Sequence, residues 1–136
     1  MKKSILIVDD NDRYANNLKF HFEALGFLTA RAYTAREGWD MFNEKIYDAV
    51  ITDITMETQT SGLWLARKIF KSGYDKELVI ATTGFDVMGV MNLSRYILPV
   101  FFGTGWMIPK KPLKAGDVIV YPTIKNKHKN FLDTLK

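Results

Sequence analysis

Two apolar runs that end on acids constrain this chain more than any other feature. Residues 5–8 (ILIV) lead straight into Asp9 and Asp10, and residues 49–52 (AVIT) lead straight into Asp53. Apolar or β-branched runs of this length, with no alternation, read as strands buried on both faces, the kind that fill a parallel sheet. Ligands of open α/β sheets bind outside the carboxyl ends of the strands. Both acidic sites are therefore expected on one edge, close enough to share an ion. Two carboxylates ~4 Å apart repel by ~1 kcal/mol in water and ~4 kcal/mol at an effective dielectric of 20. A proton or a cation relieves that cost. Two or three carboxylates with water suit Mg²⁺, a hard cation that keeps part of its hydration shell. Capping of the next helix accounts for one acid among residues 9–12. It does not account for Asp53, which opens no strongly periodic helix. A shared metal or phosphate site is the expectation.

The 136 residues, 47 % of them apolar, suffice for one compact domain spanning 1–136. Cysteine is absent, so disulfides and thiolate metal sites are excluded and a reducing compartment suits the chain. The apolar stretch after the first lysines is too short for a signal peptide. The longest apolar run, residues 96–102, is far below a membrane span, so a cytoplasmic protein with no membrane partner is expected. Residues 110–136 carry seven lysines against Asp117 and Asp133, while the rest of the chain is nearly neutral. No aromatic or arginine reader is interleaved with these lysines. They read as a solvated face, and nucleic acid is not expected to bind within this chain.

Periodicity organises the rest. Asn11 or Asp12 caps a helix that keeps Tyr14, Leu18, Phe22 and Leu25 on one face, and Gly26 stops it. Residues 27–32 form a second strand. Thr34 to Glu37 fits a capping box, predicting a helix from Ala35 to about Lys45 with Trp39, Phe42 and Ile46 inward. Leu63, Ala66, Ile69 and Phe70 mark a third helix, and residues 78–82 (LVIAT) a fourth strand. Strand and helix alternate at least three times, which argues for a parallel sheet covered on both faces. Beyond Phe85 the pattern weakens. A helix is expected over residues 87–98 and a fifth strand within 100–108. Residues 118–121 fit either a helix start or a short extra strand, and a terminal helix follows Pro122.

This order of parts resembles the receiver domain of bacterial response regulators, over about residues 2–113. ILIVDD matches that family's first strand and acidic pair, and YDAVITDITM its third strand. Gly62 in TSGLWLARKIF matches the glycine opening the third helix, LVIATTG the switch strand, and KKPL the lysine–proline pair. The resemblance implies a flavodoxin-like, doubly wound α/β fold with a five-stranded parallel sheet of order 2-1-3-4-5. It implies Asp53 as phosphoacceptor, with Mg²⁺ held by Asp9, Asp10, Asp53 and the backbone carbonyl of Thr55. Thr83 stands at the switch hydroxyl and Trp106 at the switch aromatic, with Met107 or Ile108 as alternatives. Lys111 stands at the phosphate-binding position, with Lys110 next to it in register. The implied partners are a sensor histidine kinase or phosphotransfer protein as donor, and a downstream protein or second copy contacting the 87–108 face. Neither His21 nor His128 is a plausible internal donor.

Three departures from the family pattern stand out. Glu57 replaces the usual proline, the interval from Thr83 to Lys111 is longer and more apolar, and Trp106 lies farther from the lysine. They leave open a pseudo-receiver, the same fold used as a constitutive interaction module. A Mg²⁺-dependent phosphohydrolase is the remaining alternative, weakened because Thr55 stands where a second catalytic acid is needed. The leading expectation is a non-enzymatic signalling receiver.

Overall fold

The computed structural model describes residues 2–54, 56, 61–82, 102–127 and 129–135. Expectations for Thr55, Glu57, Thr83 and a helix over residues 87–98 lie outside them. The apolar runs form strands β1 (Ser4–Val8), β3 (Ala49–Asp53) and β4 (Glu77–Thr82), with β1 and β3 buried at every residue. β2 (Leu28–Ala32) is mostly half-exposed, as suits the edge of a sheet. β5 (Trp106–Pro109) is fully buried, and β6 (Tyr121–Pro122) is a two-residue strand. The order is β2-β1-β3-β4-β5-β6, with every pairing parallel except β5 with β6. This is the expected 2-1-3-4-5 order with one antiparallel strand added at the β5 edge. Pro122 has no N–H to give a further strand, and proline is confined to such edge positions.

Alternate residues of each strand point to opposite faces, so the core divides into two layers. Ile5, Ile7, Ile51, Val79, Trp106 and Ile108 face one way. Helix α1 (Asp12–Ala24) covers them, with Leu113 of α4 (Lys110–Lys114) and Phe131 of α5 (Phe131–Thr134). Leu6, Val8, Val50, Leu78, Ile80 and Met107 face the other way. These lie beneath α2 (Ala35–Phe42) and α3 (Ser61–Lys71), through Ala35, Leu65, Ala66 and Ile69. Helices on both faces of a parallel-dominated sheet make the fold flavodoxin-like. No helix among the described residues is long and apolar enough to cross a membrane.

Local signals set most helix starts. The Asn11 side chain accepts from the Tyr14 amide at 3.2 Å and caps α1. Thr34 Oγ1 accepts from the Glu37 amide at 3.0 Å and caps α2. Helix ends follow tertiary demands more closely. The helix expected to reach Lys45 stops at Phe42, where the Asn43 side chain donates to the Trp39 carbonyl at 2.9 Å. Ile46, expected inward, is therefore 78 % exposed, and Tyr47 takes the buried place. The terminal helix expected after Pro122 is interrupted. A 3₁₀ turn (Ile124–Asn126) comes first, followed by α5. Side chains hold this segment to the start of β5: Thr123 Oγ1 donates to the Thr104 carbonyl and Asn126 Nδ2 to the Gly105 carbonyl.

Candidate phosphoacceptor and metal site

Register brings the acids together. Val8 of β1 pairs with Thr52 of β3, so the next residues, Asp9 and Asp53, lie side by side at the carboxyl edge of the sheet. One carboxylate oxygen from each of Asp9, Asp10 and Asp53 lies within 4.8 Å of the others. Asp9 and Asp53 are buried, and Asp10 is exposed. Lone pairs on three carboxylates face one small volume, as the two apolar runs require.

Asp9 carries the electrostatic strain. Burial raises its pKa from the ordinary 3.8 to about 7. The hydrogen bond from the Asn11 amide to Oδ1, at 2.9 Å, pulls the other way, and the neighbouring charge of Asp53 adds to the rise. The other oxygen, Oδ2, is buried and has no hydrogen-bond partner among the described residues. An acceptor of that kind costs about 1–3 kcal/mol, more when charged. A hard divalent cation beside it removes both the orphaned acceptor and the mutual repulsion, so these oxygen donors fit Mg²⁺.

The lysine is one residue earlier than expected. Lys110 Nζ lies 2.5 Å from Asp53 Oδ1, whereas Lys111 is exposed. Strand register explains the correction. β5 closes with Pro109 beside Thr82, so the first residue past the strand sits next to Asp53, itself paired with Ala81. The Lys110 ammonium also lies 4.9 Å from the centre of the Tyr14 ring, whose face favours a cation. Lys110→Ala is expected to cost about 3 kcal/mol, because it removes the ammonium that faces a buried carboxylate. Lys111→Ala is expected to stay within about 0.5 kcal/mol of wild type. Denaturant melts of the two variants check this.

Trp106 also differs from expectation. It starts β5, fully buried, and its Nε1 donates to Glu77 Oε2 at 2.6 Å. Glu77 begins β4, so the ring sits at the far end of the sheet, about 13 Å of extended chain before Lys110. A ring held there by a carboxylate and by an edge contact with Phe131 is a core staple, not a side chain free to swing toward the acids. Met107 and Ile108 are buried in opposite core layers.

Ile54 and Met56, just past β3, are held from α3. The Gly62 amide donates to the Ile54 carbonyl at 2.8 Å, and the Met56 amide donates to Ser61 Oγ at 3.2 Å. A Cβ on Gly62 would lie 1.5 Å from the Asp53 carbonyl oxygen, so only glycine permits this approach. Arg31, which the sequence reading passed over, also reaches the site. Its Nε and Nη2 donate to the Asp9 carbonyl at 3.2 and 3.0 Å. In sequence it stands as one basic residue in a short edge strand, with no signal of that reach.

The model of the response regulator receiver domain family matches residues 5–93. The chain belongs to that family. Receiver domains are the signalling modules of two-component systems. A receiver domain protein from Clostridium thermocellum is 28 % identical, with a TM-score of 0.64 over 84 % of this chain and 90 % of its own. The response regulator TrrA of Thermotoga maritima, solved with Mg²⁺ and BeF, is 32 % identical, with a TM-score of 0.56. That match covers 60 % of this chain and 70 % of TrrA. A chemotaxis response regulator of Vibrio cholerae shares the receiver fold at 17 % identity, with a TM-score of 0.69 over 85 % of this chain and 92 % of its own. The family match ends before β5, so Lys110 and β6 both lie past it.

Proposed function

We propose that this receiver is a phosphorylation-operated switch in which Asp53 accepts a phosphoryl group from a phosphohistidine, with Mg²⁺ held by Asp9, Asp10 and Asp53. The observation that carries this reading is the convergence of three carboxylates on one volume with Lys110 bonded to the central one. Bound there, Mg²⁺ supplies neutralisation of the phosphoryl oxygens and their alignment with the acceptor. The chain's own groups do the rest. An Asp53 oxygen attacks phosphorus as the bond to the donor imidazole breaks, and the imidazole leaves. Lys110 neutralises Asp53 before transfer and can follow the new charge to a phosphoryl oxygen afterwards. Thr55 is proposed to add a backbone carbonyl to the cation, and Thr83 to donate its hydroxyl to the new phosphoryl group. Because Trp106 is a core staple, the structural change is proposed to run through Thr83 and the segment after it.

The donor is proposed to be a sensor histidine kinase or a phosphotransfer protein. The output is a downstream protein or a second copy meeting the 87–108 face.

Incubation with Mg²⁺ and acetyl phosphate, or with beryllium fluoride, is expected to modify wild type at Asp53. Asp53→Asn is expected to give no adduct. Intact-mass spectra and fluorine NMR read the result, and light scattering of the beryllofluoride form reads association of copies. A wild type that binds Mg²⁺ but takes no phosphoryl group would favour a constitutive pseudo-receiver. For the phosphohydrolase reading, no acid beyond these three joins the cluster among the described residues, and Glu57, its weak candidate for a second catalytic acid, lies outside them.

A further inference from the structure

We infer that Arg31 is a positioning residue for the acidic pair, fixing the peptide that joins Asp9 to Asp10 and with it the direction in which the Asp10 carboxylate leaves. This rests on the reading of the three acids as a Mg²⁺ site. Arg31 lies on β2, paired with Ile7 of β1, one residue short of the strand end. Its side chain is only 15 % exposed, and each of its three guanidinium nitrogens donates a hydrogen bond. Nε and Nη2 converge on the Asp9 carbonyl at 3.2 and 3.0 Å, while Nη1 donates to Asp12 Oδ1 at 2.6 Å. The Tyr33 ring covers its face at 3.9 Å.

The consequence follows from peptide planarity. The Asp9 carbonyl and the Asp10 amide share one rigid plane, so gripping the oxygen orients the nitrogen from which Asp10 is built. The Asp9 amide is held as well, donating to the Ala32 carbonyl at 3.1 Å. Two neighbours on β2, Arg31 and Ala32, therefore fix both backbone groups of Asp9, and the Asn11 amide fixes Oδ1. Among the described residues no hydrogen bond or ion pair restrains the Asp10 side chain, which is exposed, so its aim depends on the plane that precedes it. The bond to Asp12, at the first turn of α1, closes the loop from its other end. A planar fork is needed for this geometry; an ammonium of the same charge cannot span both acceptors.

The test measures Mg²⁺ affinity of the full chain by calorimetry, with Mg²⁺ alone as probe, for wild type, Arg31→Lys and Arg31→Gln. Both variants are expected to bind about tenfold or more weakly, the usual effect of losing a group that orients metal ligands. Arg31→Lys keeps the charge, so its loss reports the fork and not the electrostatics. Melting in chelator separates this from simple destabilisation, because a purely structural role lowers the melting temperature and leaves affinity intact. Asp12→Asn, which cuts one arm only, is expected to weaken binding less than Arg31→Lys. Should a variant fail to fold, the wild-type Arg31 Nε–H resonance serves instead: it is expected to be protected from exchange and to shift on Mg²⁺ saturation. Unchanged affinity in folded variants, or an Nε–H signal unmoved by saturating Mg²⁺, overturns the positioning role alone. A wild type without Mg²⁺ affinity removes the metal site and this role together.

Discussion

Without metal at pH 8, Asp9→Asn is expected to melt several degrees above wild type, on the order of 10 °C. The sign follows from proton linkage. The folded-state pKa of Asp9 is raised from the ordinary 3.8 to about 7, so the native state holds this proton more tightly than the unfolded chain does. That preference contributes stability in full below pH 3.8 and loses it progressively as the pH rises to about 7. Above that point the native state carries an unfavourable buried charge. At about 1.36 kcal/mol per pKa unit, the interval corresponds to roughly 4 kcal/mol. Asparagine keeps an oxygen for the Asn11 amide and removes the charge facing Asp53. The advantage of the variant is expected to shrink as the pH falls toward 4. Adding Mg²⁺ has the opposite effect on the pair. Wild type gains about 2.7 kcal/mol at a hundred times its dissociation constant, and the variant gains little. Calorimetric melts at pH 5 and pH 8, with and without Mg²⁺, separate the four states. A variant less stable than wild type at pH 8 in chelator would mean that Asp9 is not under strain.

The strands that build this site were legible because burial on both faces leaves no freedom in composition. ILIV and AVIT have no polar side to turn toward solvent, so they belong in the middle of a sheet, and their acids at its carboxyl edge. Helix starts at Asn11 and Thr34 were legible for a similar reason, since capping is a contact between near neighbours in sequence. Features set by distant partners were not. Lys110 and Lys111 are chemically identical, and only the register of β5 against β4 decides which one meets Asp53. Trp106 looks like a mobile aromatic until Glu77, twenty-nine residues away, is seen to hold its indole nitrogen. The inward place expected for Ile46 failed because Asn43 ends α2 early, a choice that a periodic pattern cannot register. β6 is two residues long, shorter than any periodicity can resolve. Arg31 is the sharpest case. Its role depends on a backbone carbonyl, which has no signature in a sequence at all.

Gly62→Ala is expected to destabilise the protein by about 3–5 kcal/mol and to abolish Mg²⁺-dependent modification of Asp53. Helix propensity argues the other way. Alanine is favoured over glycine inside a helix by about 1 kcal/mol, and α3 begins only one residue earlier. Packing decides the sign. The added methyl would lie 1.5 Å from the Asp53 carbonyl oxygen, 2.5 Å from its carbon and 2.7 Å from the Ile54 Cα. All three are backbone atoms, so no flexible side chain can give way. Either α3 shifts outward, breaking the bond from the Gly62 amide to the Ile54 carbonyl, or the end of β3 shifts and carries Asp53 with it. Gly73→Ala supplies the comparison. That glycine has φ +89° and nothing within 4 Å of the added methyl, so only backbone strain of about 1–2 kcal/mol is expected. The contrast separates a glycine needed for conformation from one needed for close approach. If Gly62→Ala melts within 2 °C of wild type, about the shift from 0.5 kcal/mol, and binds Mg²⁺ equally well, then α3 does not brace Asp53. The position of Asp53 would then rest on β3 and Lys110 rather than on α3.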